Sequence, residues 1–233
     1  MNEWLSKIAD RFTAAFVTAD RWKLYLKGFG LSVRVAVLAA LIGIVIGTVI
    51  ALLKLRTKED GTPDFISRLA DVYIDIIRGT PSVLQLLIMW FIIMANSKNG
   101  ELVACLSFGI NSGAYVAEII RGGILAVDSG QMEAGRSLGL SRVQTYRFII
   151  LPQAFKNAMP PLGNEFIVLL KETAIVGYVS LSDLTRTANQ IASKTYDAFM
   201  PLIGAAVIYL LAVKILTLLF ATIERRMRLV DKR

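Results

Sequence analysis

The sequence predicts an all-α integral membrane protein with about five transmembrane helices, an N-terminal amphipathic helix at the membrane interface and a short helical insert. Two observations support this fold class. Hydrophobic residues make up 55% of the chain, above the roughly 45–50% of soluble domains, and the mean hydropathy is +0.58. The apolar residues are also grouped in runs of about 20, the length that crosses a bilayer as a helix.

Five segments have the length and composition of membrane spans. They are 29–53, 65–95, 102–126, a segment from Pro160-Pro161 to about 179, and 199–223. Pro81 breaks the second span into a charged and an apolar half. In the first span Gly43, Gly47 and Ala51 repeat every fourth residue, which favours close helix packing in general over a specific dimer motif.

Residues 1–27 form a separate amphipathic segment. Trp4, Ile8 and Phe12 fall on one helical face, with charged residues between them, so we expect a helix that lies at the interface. The segment has no continuous apolar run before a cleavage site, and we do not expect a signal peptide. We expect residues 28–233 to form the transmembrane domain.

Several function classes are disfavoured by composition. The single cysteine, Cys105, and the absence of histidine argue against a disulfide framework and a metal site. The net charge of +8 lies at the ends of apolar runs, so it predicts membrane orientation and not nucleic-acid binding. There is no GxxxxGK[ST] phosphate loop, so we expect no nucleotide hydrolysis by this chain. If transport is active, a partner must supply the energy.

The polar segment 127–152 predicts a helix–turn–helix insert. A short helix over Glu133–Leu138 ends at Gly139, Ser141 and Gln144 match a capping box for a second helix, and Pro152 marks a break. The insert has an apolar side without a core of its own, formed by Leu138, Leu140, Val143 and Phe148. It is either a knob that docks into another protein or an amphipathic loop on lipid headgroups.

The insert resembles the cytoplasmic EAA signature of ABC importer permeases. The matching residues are Glu133, Ala134, Gly135, Gly139, Ile149, Leu151 and Pro152, with Gly135 in place of the second alanine. Other segments resemble the polar amino-acid branch of the family: Arg78-Gly79-Thr80-Pro81 with Gln85, 114–124, and 162–171. The resemblance extends from about residue 28 to the C-terminus.

The resemblance implies a non-catalytic permease subunit, with these residues and Leu138 docking an ATPase. The implied partners are two ATPase subunits that hold ATP and magnesium, an extracytoplasmic solute-binding protein, and a second permease copy, identical or homologous. The implied cargo is a polar amino acid moved by alternating access, with a weak preference for a basic one. The implied location is the bacterial plasma (inner) membrane. An ion-coupled carrier and a scaffold protein remain alternatives.

Charged groups inside the spans predict a solute pathway, because they usually face water or each other. Glu165 with Asn164 is the best pocket candidate, and a structural ion pair of Glu165 with a neighbouring arginine is the alternative. Further candidates are Arg78, Gln85, Tyr115, Glu118 and Arg121. Glu118 and Arg121 are three residues apart and are better explained as a mutual ion pair. Lys214, inside the last span, has no assigned role.

The distribution of basic residues predicts the orientation. Segments 54–68, 121–156 and 224–233 contain four, five and five Lys and Arg residues, and the connectors 96–101 and 172–198 contain one and two. Under the positive-inside rule the first three are cytoplasmic, so the N-terminus lies outside and the C-terminus in the cytoplasm. The five basic residues of segment 1–27 run against this assignment.

Overall fold

The computed structural model describes residues 2–56, 62 and 64–230, and the regular structure in this part of the chain is helical. The helices are α1 Asn2–Phe12, α2 Arg21–Lys54, α3 Phe65–Arg78, α4 Ser82–Ile88, α5 Gly100–Leu125, α6 Gly130–Ser137, α7 Arg142–Thr145, α8 Leu151–Glu172, α9 Leu184–Thr195 and α10 Phe199–Val230. Wider π-helical turns extend α1, α4 and α7, and a 3₁₀ turn follows α8. This confirms the predicted all-α fold class.

Three helical segments of the described chain are long and apolar enough to cross a membrane: Glu3–Lys54, Gly100–Leu125 and Phe199–Met227. A fourth span is obtained when Phe65–Arg78 and Ser82–Ile93 are counted together, with a bend of 102° between them. The break predicted at Pro81 is therefore present. Helix α8 does not meet these criteria of length and composition.

Helices α2 and α5 form the centre of the bundle and run in the same direction. Gly43 lies against Ser112, and Gly47 lies so close to Val116 that a Cβ at Gly47 would be 2.6 Å from the Val116 Cβ. The small residues of α2 thus pack against another helix of the same chain. This agrees with the prediction of close helix packing in general. Because both helices run the same way, Lys54 and Leu125 lie at the same end of the bundle.

Helix α8 returns through the bundle, and both the break predicted at Pro152 and the start of the span predicted at Pro160-Pro161 are wrong. α7, the π-helical turn Tyr146–Ile150 and α8 follow one another without a non-helical residue, and Pro160 and Pro161 lie inside α8. Pro152 follows the π-helical turn, as the second residue of α8. Tight packing on both sides holds the later prolines in the helix: Gly123 of α5 lies against Ala158, and Gly163 lies against Phe220 of α10.

The single helix predicted over residues 3–27 is two helices. Ala19 and Asp20 have φ of 54°, a left-handed conformation that breaks the helix, and α2 begins at Arg21. The N-terminal segment packs onto the first turns of α10, where Phe16 fills the space left by Gly204. Phe16 also stacks on Tyr25, with ring centroids 5.0 Å apart.

The connector predicted between the last two spans contains a helix, α9. Asp183 caps it by accepting hydrogen bonds from the backbone N–H groups of Thr185 and Arg186. Burial raises the pKa of the Asp183 carboxyl, although these amides favour its charged form. Leu184, Ala188 and Ile191 are buried on one face of α9, a helical spacing that was present in the sequence.

Candidate functional site

The insert forms a helical bracket, residues 130–152, beside the end of α5. After α6 the N–H of Leu140 donates to the Gly135 carbonyl at 3.1 Å and the N–H of Gly139 donates to the Arg136 carbonyl at 3.0 Å. With φ of 84° at Gly139, these bonds make a Schellman motif. Ser141 and Gln144 form the predicted reciprocal capping box. The bracket is therefore a defined turn and not an irregular loop.

The apolar side of the bracket faces away from the protein. The side chains of Leu138, Val143 and Phe148 are 80%, 75% and 63% exposed. Of the signature residues, Glu133, Ala134, Gly139, Leu151 and Pro152 are exposed, Ile149 is half-buried and Gly135 is buried. Apolar side chains this exposed at one tip are typical of a surface that another molecule covers.

Gly135 joins the two arms of the bracket. A Cβ at this position would be 2.5 Å from Cγ2 of Thr145 and 3.2 Å from Cδ1 of Ile149. Thr145 is fully buried, and its hydroxyl donates to the Ser141 carbonyl at 3.0 Å. The glycine that replaces the usual alanine is thus explained by the close approach of α6 to α7.

We expect Gly135→Ala to destabilise the bracket. Overpacking against Thr145 costs about 1–3 kcal/mol, and the better helix propensity of alanine offsets about 1 kcal/mol of this. The melting temperature of the purified protein should fall, and Gly135→Ala with Thr145→Ser should recover part of it. Gly122→Ala is the matched control, because a Cβ there meets no atom within 4 Å. Equal melting temperatures for Gly135→Ala and Gly122→Ala would contradict this explanation.

Glu165 lies in the wall of a cavity that is bordered partly by exposed side chains, Leu41 and Phe155 among them. The cavity has a volume of about 390 Å³ and lies between α2, α5, α8 and α10, within the range of roughly 300–1,000 Å³ that holds small ligands. Its lining is apolar apart from Ser112 and Glu165. The Ser112 hydroxyl donates to Glu165 Oε1 at 2.9 Å. No arginine or lysine of the described chain forms an ion pair with Glu165. The alternative from the sequence, an ion pair with a neighbouring arginine, is therefore not found in this part of the chain.

Asn164 and Glu165 line different cavities, although the sequence predicts one pocket for both. Asn164 is exposed and lines a separate hollow of about 190 Å³ beside α10, together with Met227 and Thr217. Consecutive residues point about 100° apart around a helix, so the two side chains lie on different faces of α8. Glu172, seven residues after Glu165, shares its face.

Arg78 and Tyr115 form a second polar element near Glu165. The Arg78 guanidinium carbon lies 5.2 Å from the centroid of the Tyr115 ring, a cation–π contact. Arg78 Nη1 is 3.9 Å from Glu118 Oε2. Arg78 is also the cation that interacts with Glu165 through space, without forming an ion pair with it. Arg78 and Glu165 thus provide a cation and an anion that are not paired with each other.

Glu118 and Arg121 belong to a structural ion network. Arg121 pairs with Glu118 at 2.8 Å, and Lys54 Nζ bridges Glu118 at 2.7 Å and Asp71 at 2.8 Å. The network connects α2, α3 and α5 at the end of the bundle near the bracket. The predicted mutual pairing of Glu118 and Arg121 is confirmed, and Lys54 is the central partner that the sequence analysis missed.

Gln85 is fully engaged with its own neighbourhood. Its amide nitrogen donates to the carbonyls of Ile77 and Thr80 and to the Thr80 hydroxyl, and its oxygen accepts from Asn111. Sequence analysis missed Asn111 and Ser112 as functional candidates. Two adjacent polar residues inside a span were the available signal, because buried polar groups need partners.

Comparison with known proteins places the chain in one family. Residues 43–229 match the family model described as the inner membrane component of binding-protein-dependent transport systems. The chain is 40% identical to the arginine transport system permease protein ArtQ of Bacillus subtilis over 206 residues, covering 87% of this chain and 92% of that protein. It is 34% identical to the glutamine transport system permease protein GlnP of Escherichia coli K12, covering 88% and 94%.

Solved structures show the same fold. A crystal structure of an amino acid ABC transporter with histidines superposes with a TM-score of 0.80 at 42% identity, covering 88% of this chain and 94% of that chain. The MetNI methionine ABC transporter in an inward-facing conformation superposes with a TM-score of 0.78 at 20% identity, covering 90% and 99%.

Proposed function

Because the chain belongs to the family of binding-protein-dependent transport system inner membrane components, as a permease subunit of an amino-acid ABC transporter, we propose that it moves a cationic amino acid into the bacterial cytoplasm. The observation that carries the substrate class is Glu165. Its half-buried carboxylate has a neutral partner, Ser112, and lines a largely apolar cavity. An unpaired carboxylate in such surroundings is costly, and a cationic substrate removes that cost.

Arg78 supplies the second half of the site. A cationic amino acid presents its α-carboxylate at one end and a cationic side chain at the other, and Arg78 and Glu165 offer the opposite charges without pairing to each other. Charge-assisted hydrogen bonds to both ends of the substrate are stronger than neutral ones. The Tyr115 ring lies beside the guanidinium, 5.2 Å from its carbon. The name of the arginine permease relative agrees with a cationic substrate, whereas that of the glutamine permease relative favours a neutral one.

The bracket is proposed to couple the permease to ATP hydrolysis. Its exposed apolar tip, Leu138, Val143 and Phe148, docks into a groove of a partner ATPase. This chain hydrolyses no nucleotide, and ATP and magnesium are held by the partner. Glu133 and Gly139 set the docking geometry, the former at the exposed surface and the latter through the Schellman turn.

The proposed topology has five spans, with α8 as the fourth. α2, α5 and α10 run from outside to inside, and the α3–α4 pair and α8 return, which brings Lys54, Leu125 and the bracket to the cytoplasmic end. The basic residues of the N-terminal segment are compatible with an outside location because three are already engaged: Arg11 lies 4.0 Å from Asp197, Lys23 pairs with Asp20 at 2.6 Å, and Arg21 donates to a backbone carbonyl.

A second permease copy and a solute-binding protein complete the proposed transporter. Helix α10 presents mostly exposed apolar residues, and Lys214 among them is also exposed. Lipid and a second copy are both suitable neighbours for that face.

Competition in reconstituted vesicles tests the substrate class. The permease, its ATPase and its binding protein are reconstituted, and ATP-driven uptake of labelled L-arginine is measured against an excess of each other amino acid. We expect lysine and other cationic amino acids to compete, and glutamine to compete at least tenfold less well, because it lacks the charge that Glu165 neutralises. Stronger competition by glutamine than by lysine would contradict the proposal.

A further inference from the structure

The bend between α3 and α4 leaves backbone carbonyls without helical donors. The two helices meet at 102°, and Pro81 supplies no N–H. Carbonyls in the last turn of α3 therefore have no helical donors. At membrane depth such groups must find partners within the protein. The groups that satisfy them thereby determine the angle of the bend.

Two side chains satisfy these carbonyls. The Thr80 hydroxyl donates to the Ile76 carbonyl at 2.9 Å. The Gln85 amide nitrogen donates to the Ile77 carbonyl at 2.7 Å and the Thr80 carbonyl at 3.2 Å, and to the Thr80 hydroxyl at 2.7 Å. Gln85 lies in the first turns of α4, so it ties the start of one helix to the end of the other.

Asn111 attaches this bend to α5. It is only 4% exposed, and its amide nitrogen donates to Gln85 Oε1 at 2.9 Å. A second bond, from the Tyr73 hydroxyl to the Ile110 carbonyl at 2.6 Å, fastens α3 to the same turn of α5. The amide groups carry no net charge. They therefore hold the backbone without attracting the charged groups of the substrate themselves.

Arg78 is the residue that this arrangement orients. It ends α3 and lies between Ile77 and Thr80, whose carbonyls Gln85 holds. Its guanidinium lies over Tyr115 of α5, four residues from Asn111. The side chain is 43% exposed, so packing alone does not fix it. The Tyr115 ring and the Glu118 carboxylate contact the guanidinium, and the backbone that Gln85 and Asn111 hold sets the point from which the side chain reaches them.

We propose that Gln85 and Asn111 form an amide clamp that positions Arg78 to receive the carboxylate of the amino-acid substrate. The clamp touches backbone and not substrate, so both are positioning residues. This inference rests on the proposed function, in which Arg78 and Glu165 bind the two ends of a cationic amino acid.

The first test is structural and needs no substrate. Gln85→Leu and the milder Asn111→Ser are each prepared in the permease–ATPase complex in lipid nanodiscs and imaged by electron cryomicroscopy. We expect the Arg78 guanidinium to leave the Tyr115 ring in both variants. Gln190→Leu, an exposed glutamine of α9, is the matched control and should leave it in place. An Arg78 that stays over Tyr115 in both clamp variants overturns the proposal.

The second test separates positioning from general damage. Equilibrium binding of L-arginine is compared with binding of agmatine, which is arginine without its carboxylate. We expect the clamp variants to lose about tenfold in arginine affinity, as for one charge-assisted hydrogen bond, and to keep agmatine affinity within twofold. Equal losses for both ligands would contradict positioning. If the wild-type complex binds neither compound, the proposed substrate class fails, and the structural test still decides the clamp.

Discussion

Glu165→Gln should lower the affinity of the transporter for a cationic amino acid by about 100-fold. Glutamine has nearly the same shape and can still accept the Ser112 hydrogen bond, so the fold is retained. The variant loses a charge-assisted interaction of about 3 kcal/mol in a largely apolar cavity. Binding of L-arginine to the purified complex, measured by calorimetry, gives this value directly.

Glu172→Gln is the matched control for this experiment. Glu172 lies on the same face of α8, seven residues further on, but does not line the cavity with Ser112. We expect its replacement to change arginine affinity less than threefold. If Glu165→Gln leaves affinity and selectivity unchanged, Glu165 does not belong to the binding site.

Leu138→Asp should detach the permease from its ATPase. The leucine is 80% exposed at the tip of the bracket, so its loss removes little packing within the permease. In the proposed docked complex this position would be buried, and an unpaired carboxylate there is strongly unfavourable. We expect the dissociation constant to rise at least thirtyfold, the equivalent of about 2 kcal/mol at an interface hot spot. Co-elution of the two purified subunits during size-exclusion chromatography measures it.

Tyr196→Asp controls for the added charge. Tyr196 is 98% exposed, lies at the opposite end of the bundle and already has a left-handed φ of 53°, which aspartate tolerates well. This variant should retain the ATPase fully. Retention of the ATPase by Leu138→Asp would remove the apolar tip of the bracket from the docking surface.

Local sequence signals predicted the bracket well because its structure depends on local bonds. The capping box needs only Ser141 and Gln144, and the Schellman turn needs only a glycine at residue 139. Both are present as expected. The break at Pro81 was also predictable, because a proline after Gly79 and Thr80 both removes an N–H and disfavours helix before it.

Predictions failed where distant residues determine the outcome. Pro160 and Pro161 do not interrupt α8, because α5 and α10 pack on both sides of it. The Gln85 amide is occupied by carbonyls and by Asn111, a contact between different helices that no spacing in the sequence reveals. The same holds for Lys54, which meets Glu118 across 64 residues. Whether Glu165 was paired could be judged only from its surroundings in three dimensions.

ATP dependence of uptake in proteoliposomes tests the proposed mechanism most directly. Vesicles that contain the permease, the ATPase and ATP, with the binding protein supplied outside, should accumulate L-arginine against its gradient, and vesicles without the ATPase should not. The Leu138→Asp protein should abolish accumulation, and the Glu165→Gln protein should need about 100-fold more arginine for the same accumulation while the ATPase stays bound. Accumulation by the permease alone, without ATP, would contradict the mechanism.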